Sequence, residues 1–254
     1  MKRKWIAPAV VVCLLVLVAA GIVLASGGSG PVMTCGDYSL DNTGLAYYYW
    51  SEFFYFSEAY GEYLKDTVDF SKPLNQQAWS EDKTWQDYLL EETLDTVRQT
   101  MSMVFQARAE GFSMPEDYAG TYNQVLVNFA AAAREGGYAS LDDYLRASYG
   151  SQASRESFEA YLHDAHLAAA YADHLLAEIQ PTDQEVRDYF RQHRGEYEED
   201  DGFDPEDESQ WLEQVREDLR NETYQNRFRE ICSQYPFQVN YSAAVLVPPE
   251  GLYE

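Results

Sequence analysis

Residues 5–25 run without a charge or a strongly polar side chain, directly behind the cations Lys2, Arg3 and Lys4. In helical form these twenty-one residues reach roughly 30 Å, the hydrocarbon thickness of a bilayer. Flanking cations stay on the cytoplasmic side. The run therefore reads as a single-pass membrane anchor. Residues 1–4 form a basic tail inside, residues 26–31 a Gly- and Ser-rich tether, and residues 32–254 a single extracytoplasmic domain. A cleaved signal peptide is the alternative; its apolar core is usually about 7–15 residues, shorter than this run.

The chain of 254 residues carries 18 Lys+Arg against 43 Asp+Glu, a net charge of −25. Three of the cations precede the apolar run, so the external part is more acidic still. Such a surface disfavours nucleic acid and anionic lipid headgroups. It keeps the domain soluble and draws in basic, unfolded segments. Of three cysteines, Cys13 lies in the apolar run, whereas Cys35 and Cys232 fall outside it, in an oxidising setting. They are a candidate disulfide joining the ends of the domain, with two separate thiols as the alternative. No Cys-x-x-Cys is present, which leaves no basis for a zinc ribbon or redox site.

The external part reads as mainly α, with a small β element. Gly36-Asp37 is a turn signal between two short β-prone runs, 32–35 and 38–40. Helices are expected over 43–65, 83–110, 113–135, 140–149, 154–179, 182–194 and 209–234. Gly111 is a natural C′ residue, and Ser113 with Glu116 and Thr182 with Glu185 read as capping boxes. The segment 196–208 has nine carboxylates and no cation and reads as a solvated acidic loop. Residues 237–247 have an extended pattern and are expected to pair with the hairpin.

The first of these helices is crowded with rings. Leu45, Tyr49, Phe53, Phe56, Tyr60 and Leu64 share one stripe at about 100° per residue, with Tyr47, Trp50 and Phe54 nearly opposite. A helix apolar all round must be covered all round, unless one aromatic face is a groove for extended or apolar polypeptide. Tyr and Trp suit that task, bringing large contact area at low entropic cost. Tyr47, Trp50 and Phe54, with Trp79 and Trp85, are the candidate peptide-binding residues.

Other chemistry has a weaker basis. Glu159, His163 and His166 share one helix face, with His174 two turns on, but a zinc site needs a closed ligand set and no further ligand is evident. No Gly-x-Ser-x-Gly, phosphate-cradling loop or His-Glu-x-x-His occurs. No catalytic residue, cofactor or metal is assigned.

Several segments together resemble the chaperone domain of the SurA and PrsA foldases. They are the basic start and apolar run, the hairpin with Val32, Gly36, Asp37, Tyr38 and Leu40, and the aromatic helix. Thr182, Asp183, Glu185, Val186, Tyr189, Phe190 and Tyr197 are similar to the segment that precedes the parvulin isomerase domain in that family. Residues 236–241 are similar to its closing strand. A parvulin domain needs on the order of 90 residues, and thirteen lie between Tyr197 and Trp211. The resemblance thus implies a membrane-anchored chaperone, a holdase for unfolded or exported polypeptides without proline isomerisation. Docking to one fixed envelope partner, or an isomerase after all, are the alternatives.

Overall fold

The structure, a computed structural model, describes residues 30–198 and 209–253. The apolar run 5–25 and most of the acidic segment, 199–208, lie outside them. Among the described residues no helix is long and apolar enough to cross a membrane.

The described residues are mainly helical: a three-stranded sheet and seven helices. Strands β1 (Met33–Cys35) and β2 (Tyr38–Leu40) form the expected hairpin, with Gly36 in the left-handed region at φ 55°. A residue without Cβ takes that conformation at no steric cost. Strand β3 (Gln238–Val239) pairs antiparallel with β1, Met33 opposite Val239, so the order is β2-β1-β3 and the two ends of the domain meet.

The expected strand over 237–247 is mostly absent. After Asn240 donates its N–H to the Val32 carbonyl (2.8 Å), the chain makes a 3-10 turn, Tyr241–Ala243, and leaves the sheet. Asn42 takes it over: its Nδ2 donates to the Ala243 carbonyl (3.0 Å), and its Oδ1 accepts the Val245 N–H (2.7 Å).

Helices α1 (Asn42–Leu64), α2 (Trp85–Ala109), α3 (Glu116–Glu135), α4 (Leu141–Tyr149) and α5 (Arg155–Glu178) follow. Asp41 caps α1 by accepting the Gly44 N–H at 2.8 Å. Thr84 and Asp87 cap α2 reciprocally. At its far end Gly111 (φ 69°) lets the Phe112 N–H return to the Ala107 carbonyl (2.8 Å), a Schellman closure. The capping box expected at Ser113 is not formed: Pro115 is the N-cap of α3, with no side-chain cap. The box at Thr182 is formed, Thr182 and Glu185 exchanging bonds of 2.7 and 3.3 Å at the start of α6 (Asp183–Glu198). That helix runs past the expected Arg194 into the acidic segment. Helix α7 (Ser209–Ser233) returns from it to the body.

The main core gathers α1, α2, α4, α5, the sheet and the lower part of α7. A second, small cluster of Val186, Phe190 and Val215 holds α6 against the upper part of α7 as an arm. Arg216 donates to the Pro181 carbonyl (2.6 Å) and pairs with Asp183 (2.7 Å). Arg220 meets the Leu176 carbonyl at the end of α5 (3.1 Å), where a cation complements the helix dipole. These contacts fix the arm to the body.

Candidate aromatic binding surface

The rings of α1 divide by position along the helix rather than by face. Leu45, Ala46, Tyr47, Tyr48, Tyr49, Trp50 and Phe53 are buried, and beyond Phe53 no α1 residue is. The first half lies against α2, α4 and α5. In the second half Phe56 and Leu64 still pack on the core, while Phe54, Tyr55, Tyr60 and Tyr63 reach solvent.

The five candidate residues therefore separate. Tyr47 is 1 % exposed, packed on Tyr149, Phe158 and Tyr161 with ring centroids 5.0–5.5 Å away, its hydroxyl 2.7 Å from Ser157 Oγ. Burial pushes that phenol's pKa up. Trp50, at 3 %, is enclosed between Tyr49 and Phe53. Trp85, at 6 %, lies between Phe56 and Tyr88. As folded here, these three offer a partner no surface, contrary to the open groove expected of them. Phe54 and Trp79 do stay open, at 44 and 43 %.

A continuous aromatic ribbon replaces the expected groove. Trp79 stacks on Tyr88 (4.9 Å, 11° between planes), Tyr88 neighbours Phe56 (6.3 Å), and Phe56 leads to Tyr60 (5.1 Å). Tyr63, 90 % exposed, stands seven residues after Phe56 on the same stripe. Trp85 is the floor, and its indole N–H is buried with no hydrogen-bond partner, as is that of Trp50. Leaving such a donor unmade costs about 1–3 kcal/mol.

The ribbon is held from below. Trp79 sits on a tight loop closed by its N–H to the Lys83 carbonyl (2.9 Å) and by a bridge between Ala78 and Thr84. Lys83 pairs with Glu91 on α2 at 2.7 Å, both largely covered, and that carboxylate raises the lysine's pKa. Gln77 stitches the preceding turn, exchanging bonds with Asp69 at 2.7 and 2.8 Å. The neighbouring charge is acidic: Glu52 and Glu92 lie at the junction of α1 and α2, and burial raises both carboxyl pKa values. Rings preorganised in this way can bury apolar side chains, while the acidic surroundings favour cations.

Phe56, Tyr60, Tyr63 and Tyr88 were not expected at such a surface. The i, i+4, i+7 spacing of the first three was visible, but it belongs to the same stripe as Leu45 and Tyr49 and reads as core.

Cys35 and Cys232 are free thiols, not a disulfide. Burial pushes the Cys232 pKa up to about 11, away from a reactive thiolate, against a smaller opposing effect of its hydrogen bond with Ser102. On α5, Glu159 is occupied by Arg155 (2.6 Å), and His166 Nδ1 meets the Leu162 carbonyl (2.8 Å). Among the described residues no group of three His, Cys, Asp or Glu is placed to hold a metal. A cleft of about 420 Å³ lies elsewhere, where α5, α6 and α7 meet, lined by Glu178, Pro181, Asp188, Tyr189, Leu219 and Arg227. Its lining is about evenly polar and apolar, and it belongs to the root of the arm. Comparison with known proteins finds no matching family model, no matching curated protein and no matching solved structure.

Proposed function

We propose that this chain is a membrane-tethered, extracytoplasmic holdase that binds unfolded polypeptide and alters no bond in it. The observation that carries the reading is the ring series Trp79–Tyr88–Phe56–Tyr60, exposed at Trp79 and Tyr60, half-buried at Tyr88 and Phe56, and extended by the exposed Tyr63. Each apolar client side chain buried against it would contribute about 1.5–3 kcal/mol before ordering costs. Several such contacts give weak, sequence-tolerant capture. The net charge of −25 biases capture toward basic segments. The resemblance to the SurA and PrsA chaperone domain points the same way, and the thirteen residues between Tyr197 and Trp211 leave no length for its isomerase. The apolar run 5–25 would keep the domain where exported chains emerge.

The full chain in mild detergent, at several-fold excess over an unfolded client, is expected to suppress aggregation seen by light scattering. A Trp79→Ala, Tyr60→Ala, Tyr63→Ala triple variant is expected to lose most of that effect while melting at nearly the wild-type temperature. Unchanged suppression by the variant, or none by the wild type, removes the proposal. A second reading, docking to one fixed envelope partner, is favoured by the burial of Tyr47, Trp50 and Trp85, which narrows the surface on offer. Saturable binding to a single sequence would select it.

A further inference from the structure

After the 3-10 turn Tyr241–Ala243 the chain crosses the body as a strap with no regular secondary structure, residues 244–253. Its grip is small. The Val245 N–H donates to Asn42 Oδ1 (2.7 Å) at the start of α1. The Glu250 N–H donates to the Ala147 carbonyl on α4 (2.9 Å). Tyr253 reaches the backbone of Leu74, and its phenol adds to the rise that burial gives the Tyr49 pKa. Leu246 and Leu252 pack on the main core, while the side chains of Val245 and Val247, on either side of Leu246, stay exposed. Pro248 and Pro249 have no N–H to give to a strand or helix.

Tyr49 belongs to the same α1 stripe as Phe56, Tyr60 and Tyr63. One aromatic stripe thus runs the length of the helix, with the chain's own extended segment at one end and open rings at the other.

We infer that the seat of this strap is a peptide-binding site, filled here by residues 244–253 acting as an internal client. The ligand class it selects is an extended polypeptide without helix or strand, carrying Leu or Tyr at intervals with proline between them. The inference rests on the proposed polypeptide binding and names what that binding prefers. A ligand of this kind must displace the strap, so its apparent affinity is reduced by the fraction of molecules in which the strap is seated.

The probe is a labelled synthetic peptide with the sequence of residues 244–253, added to the full chain. A Leu246→Ser, Leu252→Ser double variant weakens the seated strap and is expected to bind the peptide about tenfold more tightly than the wild type, the gain when a strap open in roughly one molecule in ten is released. Should that variant not fold, hydrogen exchange on the wild type decides. Saturating peptide is expected to raise exchange at the Val245 and Glu250 amides and leave the Leu94 amide in α2 unchanged. Equal affinity for both chains, no binding to either, or bound peptide with those two amides still protected overturns the inference. Peptide that displaces the strap in a chain unable to hold an unfolded client keeps the site and removes the holdase. A client held without any change at Val245 and Glu250 keeps the holdase and removes the site.

Discussion

Trp50 and Phe54 stand about one helical turn apart on α1 and differ in everything that decides what a substitution costs. Trp50 fills space between Tyr49 and Phe53, and Phe54 projects into solvent beside Phe53. Truncating an enclosed tryptophan leaves a cavity and costs about 3–5 kcal/mol. Truncating an exposed ring changes stability by about 0.5 kcal/mol or less. Trp50→Ala is therefore expected to lower the urea midpoint sharply and Phe54→Ala hardly at all, in parallel denaturation curves. Comparable losses for both would mean that the second half of α1 is covered. The unpaired indole N–H of Trp50 works against its own burial, so Trp50→Phe should cost less than the lost ring area suggests.

At the scale of elements, the caps separate what sequence settles from what it leaves open. Thr84 and Ser113 each precede a helix, and each has an acidic residue three positions on. Thr84 donates to and accepts from Asp87 and closes the first turn of α2, whereas Ser113 lies ahead of Pro115 and caps nothing. Thr84→Ala is expected to cost about 1 kcal/mol and Ser113→Ala close to nothing, read as melting-temperature shifts.

Most helix ends were legible to within three residues, because signals such as Gly111 and Pro181 punctuate them and their periodicity is local information, and the end of α6 is the exception. Three things were not legible. Which end of α1 is covered depends on where α4 and α5 reach, and they are folded from residues about a hundred positions away. The strand expected over 237–247 stops early because Asn42, far off in sequence, captures the chain. Whether Cys35 and Cys232 pair depends on where β1 and the end of α7 come to rest, and both stay free. Propensity and spacing carry no information about such distant partners.

For the whole molecule, charge and burial together set the pH dependence. Glu52 and Glu92 hold their protons more tightly when folded, chiefly through burial, with Glu91 and Asp95 adding repulsion around Glu92. A carboxyl raised on folding contributes stability below its ordinary value near 4.5, and that contribution is lost as pH rises through the folded value. Glu110 and Glu185 are held below that value, Glu110 by Tyr171 and Gln106, Glu185 by Thr182. Their contribution is present above it and lost as pH falls through their lowered values. The two sets leave a window of mild acidity. The melting temperature is expected to rise as pH falls from 8 to about 5, and to fall again in stronger acid. A Glu52→Gln, Glu92→Gln variant is expected to flatten the rise, and a slope unchanged in that variant would assign it to general repulsion at net charge −25.

The pairing of β3 with β1 places the last ladder partner of Met33 at Val239, more than two hundred residues later. During synthesis the hairpin is made first and waits, its outer hydrogen-bonding edge unmatched, until about two hundred further residues have followed it. Contacts so distant close slowly. A nascent copy of this protein thus spends its assembly as the sort of incomplete chain that a holdase serves, and its own early strands are among the first that need shielding.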